Sequence, residues 1–201
     1  MIRKILLFFF AAAFLIAARP TGYEVGDVVE PFTLKSVSGE MISLNDYADE
    51  KGVILIFDCN TCPYSQAYRN RIKELNSMYA NDGFPVVAIN PNDPGKSPGD
   101  SYEAMVAYAK KHNYKHPYLQ DTEQDVTRAF GATNTPHVFV LDNDRGKFWV
   151  AYIGAIDNNT RDASEADRHY VQDAVNALLN GNKPGEVKTK AIGCSIKWKS
   201  T

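Results

Sequence analysis

Apolar positions along this chain follow two periods. The branched, uninterrupted runs Val53-Ile54-Leu55-Ile56-Phe57 and Val86-Val87-Ala88-Ile89 have the length and composition of strands covered on both faces. Between them Tyr64, Tyr68, Ile72, Leu75 and Tyr79 recur at steps of three and four. That spacing predicts a helix with one apolar stripe, starting near Cys62 and stopped by Asn81-Asp82-Gly83. Asn90 to Ser101 is too rich in proline and glycine to be regular and reads as a loop on the same sheet edge as the residues after Phe57. Tyr102, Met105, Val106 and Ala109 mark a second helix, and Val126 to Phe130 a third. Val138-Phe139-Val140-Leu141 and Phe148 to Ile153 predict paired strands across the turn Asn143-Asp144-Arg145-Gly146. Val171, Ala174, Val175, Leu178 and Leu179 set a last helix, ended by Asn180-Gly181. Upstream, Phe32-Thr33-Leu34 and Met41-Ile42-Ser43 flank Ser38-Gly39 as an N-terminal β-hairpin. The alternation predicts an α/β fold, a central mixed sheet flanked by helices.

The first residues read differently. Arg3-Lys4 followed by apolar Ile5 to Ala18 has the layout of a secretory signal, so residues 1–22 are expected to be a signal peptide and short leader. As a helix that stretch reaches about 21 Å, short of the ~30 Å hydrocarbon core, which favours cleavage over a stable span. The large Ile16 fits the cleavage site poorly, so an uncleaved anchor is the alternative and the one route to a membrane. The expected location is periplasmic or extracellular, where disulfides persist. Residues 23–180 then form the folded domain. Residues 181–201 form a tail that carries Cys194 and is basic at Lys183, Lys188, Lys190, Lys197 and Lys199, lysines read as a solvated face.

With 44% hydrophobic and 23% charged residues the chain can build an ordinary core, and 22 basic against 24 acidic residues leave no cationic face for nucleic acid. Phosphate-loop, zinc-protease and serine-hydrolase motifs are missing, and no bound cofactor is expected.

The chemistry concentrates in Cys59-Asn60-Thr61-Cys62, placed by the pattern at a strand-to-helix turn. A helix N-terminus carries about half a positive charge and unpaired N–H groups, which favour thiolate at Cys59 against its ordinary ~8.5. Cys59 is expected to be the exposed attacking thiolate and Cys62 the resolving thiol; Pro63 suits the first helical position. Asp58 opposes ionisation of Cys59; it reads as a solvated loop carboxylate, with proton relay as the alternative. Cys194, between Gly193 and the apolar Ile196 and Trp198, reads as an idle thiol on a docked tail; resolving a disulfide with Cys59 or cross-linking partners is the alternative.

Four motifs in one order carry a family resemblance: Cys59 to Tyr64, Val87 to Asp93, Gly131 to His137, and Thr189 to Trp198. From about Val25 to Trp198 the chain resembles the peroxiredoxin-like branch of the thioredoxin-like superfamily, the alkyl hydroperoxide reductase and thiol-specific antioxidant group, or redoxins. The resemblance implies a thioredoxin-like fold, antioxidant-type redox activity, and Pro136 as a cis-proline facing the dithiol. Thr135 would then offer its backbone to an extended thiol substrate. The chain departs from thioredoxins by having Asp58 before the first cysteine, Asn60-Thr61 between the pair, and Val53 where they carry a buried acid. It departs from peroxidases too: the Thr or Ser three residues before the peroxidatic cysteine and the Pro seven before are replaced by Ile56 and Gly52 for Cys59, and by Cys59 and Leu55 for Cys62.

The expected function is therefore an exported thiol–disulfide oxidoreductase acting on a protein or small-molecule thiol or disulfide, with a separate electron donor or acceptor. Hydroperoxide reduction is the alternative. A second alternative is Cu(I) transfer on Cys59 and Cys62 with His137, although a structural role for His137 is favoured and His112, His116 and His169 make no local ligand set.

Overall fold

The computed structural model describes residues 22–200, so the expected signal peptide lies outside the described residues apart from Gly22. Strands are β1 Thr33–Ser36, β2 Met41–Ser43, β3 Gly52–Phe57, β4 Val86–Asn90, β5 Tyr118–Gln120, β6 Asn134–Thr135, β7 His137–Asp144, β8 Lys147–Gly154 and β9 Cys194–Ser195. Helices are α1 Pro63–Tyr79, α2 Tyr102–Lys111, α3 Asp125–Phe130 and α4 Tyr170–Leu179. Seven strands form one mixed sheet in the order β2-β1-β5-β4-β3-β7-β8, with β6 and β9 paired separately. β3 lies parallel to β4 and antiparallel to β7 at the centre.

The branched runs become central strands because both sheet faces are covered. Ile54 and Ile56 meet Tyr68, Ile72, Leu75 and Tyr79 of α1 and Val171, Ala174 and Val175 of α4, while Val53, Leu55 and Phe57 point to the layer holding Phe130 of α3. On the first face α2 adds Met105 and Ala109 against Ala88 and Tyr118. Every residue of β3 is buried, which costs little because each peptide group pairs with a neighbouring strand.

Four local outcomes differ from the pattern-based expectation. The α1 stripe starts one turn later, at Ser65 and Tyr68, because Tyr64 at the helix start faces solvent and is 39% exposed. β7 and β8 run into the expected turn, leaving Arg145-Gly146 between them, both at positive φ (55° and 83°). β5 is only three residues and shows no alternation, so no pattern announces it, yet it joins the N-terminal hairpin to β4. β6 and β9 are shorter still and exist only because two distant segments meet.

The tail does not hang free. Ile196 is buried, Trp198 lies under the Arg128 guanidinium at 4.6 Å, and Thr189 pairs with Ile153. Lys183, Lys188, Lys190 and Lys197 are exposed, and at the surface Lys188 bonds Glu24 at 2.6 Å and Lys199 bonds Glu123 at 3.0 Å. Among the described residues no helix is long and apolar enough to cross a membrane.

Candidate active site

β3 ends at Phe57 and Asp58 N–H still bonds the Ile89 carbonyl, so the chain leaves the sheet at Cys59 with its direction fixed by two strands. The Cys59-Asn60-Thr61-Cys62 turn follows, and Cys62 caps α1 with Pro63 at the first helical position. Both sulfurs converge on one residue from a distant segment. Cys59 Sγ lies 3.1 Å from Thr135 Oγ1, and Cys62 Sγ lies 3.1 Å from the Thr135 carbonyl oxygen. The Thr135–Pro136 peptide is cis, and Pro136 is buried beside the pair.

The turn is clamped from the loop after β4. Asp100, fully buried, accepts from Asn60 N–H at 2.8 Å, Thr61 Oγ1 at 2.7 Å, Ser97 Oγ at 2.6 Å, Asn92 Nδ2 at 2.9 Å and Asn90 Nδ2 at 3.1 Å. Burial alone would raise its pKa, but the donors from Ser97, Asn92, Thr61 and Asn90 outweigh it and hold the carboxylate below its ordinary value. Asn60 is held further by Gly99 O at 2.8 Å and by Tyr118 Oη at 3.0 Å. Sequence reasoning placed this loop near the thiols but singled out none of Asn60, Asn90, Asn92 or Asp100 as site residues. The signal available was the polar Asn90-Pro91-Asn92-Asp93 following a wholly apolar strand.

Two expectations about exposure are overturned, those for Cys59 and Asp58. Cys59 is not exposed: it is 1% accessible and Cys62 3%. Proximity of the Cys62 sulfur, burial, and the carboxylates of Asp100 and Asp58 all push the Cys59 thiol up, with Thr135 Oγ1 a weaker opposing influence. Cys62 moves down, because the Cys59 thiol donates to it, the Cys194 side chain faces it, and the backbone N–H groups of Ser65 and Cys194 point at its sulfur, together outweighing its burial. The Thr135 carbonyl opposes this by favouring a protonated Cys62, but one acceptor is outweighed by two amides and a thiol. Cys62 donates its S–H to the Thr135 carbonyl at 3.1 Å, and of the two thiols its surroundings favour ionisation more than those of Cys59.

Asp58, expected to be solvated, is 1% exposed. Burial raises its pKa to about 7 against weaker hydrogen bonds from Ser65 and the Cys59 backbone, and its Oδ1 has no partner. Val53 lies in the apolar layer, and of the two buried carboxyl groups at this site, Asp58 and Asp100, Asp58 is the one whose pKa is raised.

His137 is buried, accepts from Thr133 N–H at 3.4 Å on Nδ1 and packs on Phe139 at 4.8 Å; burial lowers its pKa to about 4. It holds the loop before β7. Among the described residues no group of three His, Cys, Asp or Glu side chains converges to hold a metal ion. Cys194 lies on β9, half-buried and paired in register with Thr135.

A mixed sheet with two thiols at the N-terminus of α1, facing Thr135-Pro136, defines a thioredoxin-like oxidoreductase. Within that class the chain belongs to the AhpC/TSA family, whose model matches residues 25–147. An uncharacterized conserved protein of Geobacillus kaustophilus has a crystal structure that superposes with a TM-score of 0.81 at 32% identity, covering 89% of this chain and 94% of that one. The thiol-disulfide oxidoreductase ResA of Geobacillus thermodenitrificans is 27% identical over 62% of this chain and 67% of its own length. Glutathione peroxidase 1 of Caenorhabditis elegans is 26% identical over 60% of this chain and 71% of its own.

Proposed function

We propose that this protein is an exported thiol–disulfide oxidoreductase that cycles Cys59 and Cys62 between dithiol and disulfide. The observation that carries the reading is the convergence of both sulfurs on Thr135, each at 3.1 Å, at the end of a rigid strand. The thiolate of the pair attacks one sulfur of a substrate disulfide, forming a mixed disulfide and expelling the first substrate thiolate. The second cysteine gives up its proton and attacks the mixed disulfide, closing the Cys59–Cys62 bond and expelling the second thiolate. Two electrons pass to the substrate, and the reverse sequence returns them from a reduced donor. Asp58, poised near neutrality beside Cys59, accepts or returns the proton. Thr135 and Pro136 line the side of the pair that a substrate approaches, with β9 paired on the Thr135 backbone. Export rests on the leader of Arg3-Lys4 and Ile5 to Ala18, with residues 23–180 as the working domain and 181–201 as its tail.

Turnover of a protein disulfide and of hydrogen peroxide by the mature protein, Cys59→Ser and Cys62→Ser tests this. Disulfide turnover that falls to background in both variants, with little peroxide consumed, is the expected result. Rapid peroxide turnover requiring Cys59 would replace it with peroxidase chemistry, which the family and the nematode relative favour. Silence in both assays would leave metal binding or a structural disulfide as the role of the pair.

A further inference from the structure

The geometry points to Cys194 as a third redox thiol, which takes the disulfide from Cys59–Cys62 and presents it to external thiols. The proposal rests on the dithiol cycle above. It begins from an obstacle: both sulfurs of the pair are buried, at 1% and 3% exposure, so an external thiol reaches them far less readily than an exposed cysteine. The edge of Thr135, where an extended substrate would pair, is already taken by the chain's own strand β9. Its antiparallel register sets Cys194 opposite Thr135, and Thr135 is the residue both sulfurs touch. Cys62 and Cys194 thus both meet Thr135, Cys62 at its carbonyl and Cys194 across the strand pair, and of the three cysteines Cys194 is the one not buried.

This placement is built into the fold on both sides of the cysteine. Before it, Asn134 Nδ2 holds the Gly193 carbonyl at 3.0 Å, and a Cβ at Gly193 would stand 2.2 Å from the Thr135 carbonyl oxygen, so only glycine passes there. After it, Ile196 is buried and its N–H bonds Thr133 O, while Lys197 N–H bonds Asn92 Oδ1 and Lys197 O accepts from Asp93 N–H and Gln124 Nε2. Asn92 also donates to Asp100, which clamps the dithiol turn. An idle thiol needs no such register.

The chemistry balances without an added oxidant. Cys194 gives up its proton and attacks the Cys62 sulfur of the Cys59–Cys62 bond. The Cys62–Cys194 bond forms, the Cys59–Cys62 bond breaks, and Cys59 leaves as thiolate and regains a proton. An external thiol then attacks the half-exposed Cys194 sulfur and expels Cys62, whose surroundings already stabilise its thiolate and make it the good leaving group. A second external thiol resolves the mixed disulfide on Cys194. Two external thiols end as one disulfide and the protein as three thiols.

Full-length mature protein, Cys59→Ser and Cys194→Ser would each be oxidised with oxidised glutathione, quenched in acid, alkylated and mapped by mass spectrometry. Reduction by glutathione would be timed in parallel. Cys59→Ser should form a Cys62–Cys194 disulfide, and wild type should show it beside Cys59–Cys62. Cys194→Ser, which keeps the backbone pairing of β9, should still form Cys59–Cys62 but be reduced about tenfold more slowly or worse. Glutathione held on Cys62 of Cys59→Ser with Cys194 free, or unchanged or faster reduction of Cys194→Ser, would overturn the relay while leaving the dithiol cycle intact. Failure of Cys59–Cys62 to form in both wild type and Cys194→Ser would instead overturn the cycle on which the relay depends.

Discussion

At Asp58 a carboxyl group is buried next to a cysteine, and burial pushes its pKa up to about 7. The unfolded chain releases that proton near the ordinary ~3.9. Between these values the native state holds more protons than the unfolded state, so stability falls as pH rises. Asp58's contribution is fully present below about pH 4 and is lost on the way to about pH 7. Asp58→Asn should therefore match wild type in denaturant midpoint near pH 4 and exceed it at pH 8, by up to about 4 kcal/mol at about 1.4 kcal/mol per pH unit. Disulfide exchange by the same variant should lose its pH dependence around neutrality. Parallel stability profiles for the two proteins would show that the carboxyl titrates as it does in water. The sequence revealed both thiols of this site through their spacing and their place between a buried-strand pattern and a helical one. It gave the wrong environment to Asp58 and Cys59, because burial at a strand end depends on segments from residue 90 onward that pattern reading cannot bring near.

Elements with many repeats of their period were readable, and so were the short N-terminal hairpin, marked by its Ser38-Gly39 turn, and α3. β3, β4, α1 and α4 each bury a full face, and their apolar positions recur often enough to set the type of element. β5, β6 and β9 are two or three residues long, and their existence depends on a partner strand. The segment from Pro91 to Ser101 was legible as a loop but not as a clamp, because Asp100 works through five donors spread over residues 60, 61, 90, 92 and 97. Removing the carboxylate strips the shared acceptor from these donors and leaves the Asn60 N–H and Asn92 Nδ2, both on buried residues, without a partner. Asp100→Ala should cost about 2–4 kcal/mol in urea unfolding and loosen the dithiol turn, read as faster alkylation of Cys59. Its pKa lies below the ordinary value, so its stabilisation is present above the unfolded pKa and is lost as pH falls through the folded one. Acidification should thus narrow the gap between Asp100→Ala and wild type. A variant as stable as wild type at pH 7 would mean the donors find other partners.

For the molecule as a whole, the C-terminal tail closes the site that the β3–α1 turn opens. Ile196 fills a place in the layer under β3, worth about 1.5–3 kcal/mol as a fully buried aliphatic side chain. Truncation after Lys190 should raise the alkylation rates of Cys59 and Cys62 by about an order of magnitude or more while leaving the far-ultraviolet dichroism of the core intact. Unchanged rates would assign the burial of the thiols to the remaining loops. The sequence by itself determined the α/β plan, the central strands, the long helices and the paired thiols, because these follow from short-range periodicity and from residue chemistry that needs no partner. Only the tertiary structure decided that Cys59 and Asp58 are buried, that Asp100 holds the turn and that Cys194 stands opposite Thr135. Each of these depends on residues tens of positions apart sharing one small volume from which water is excluded, and that exclusion sets both the pKa values and the sulfur that solvent can reach.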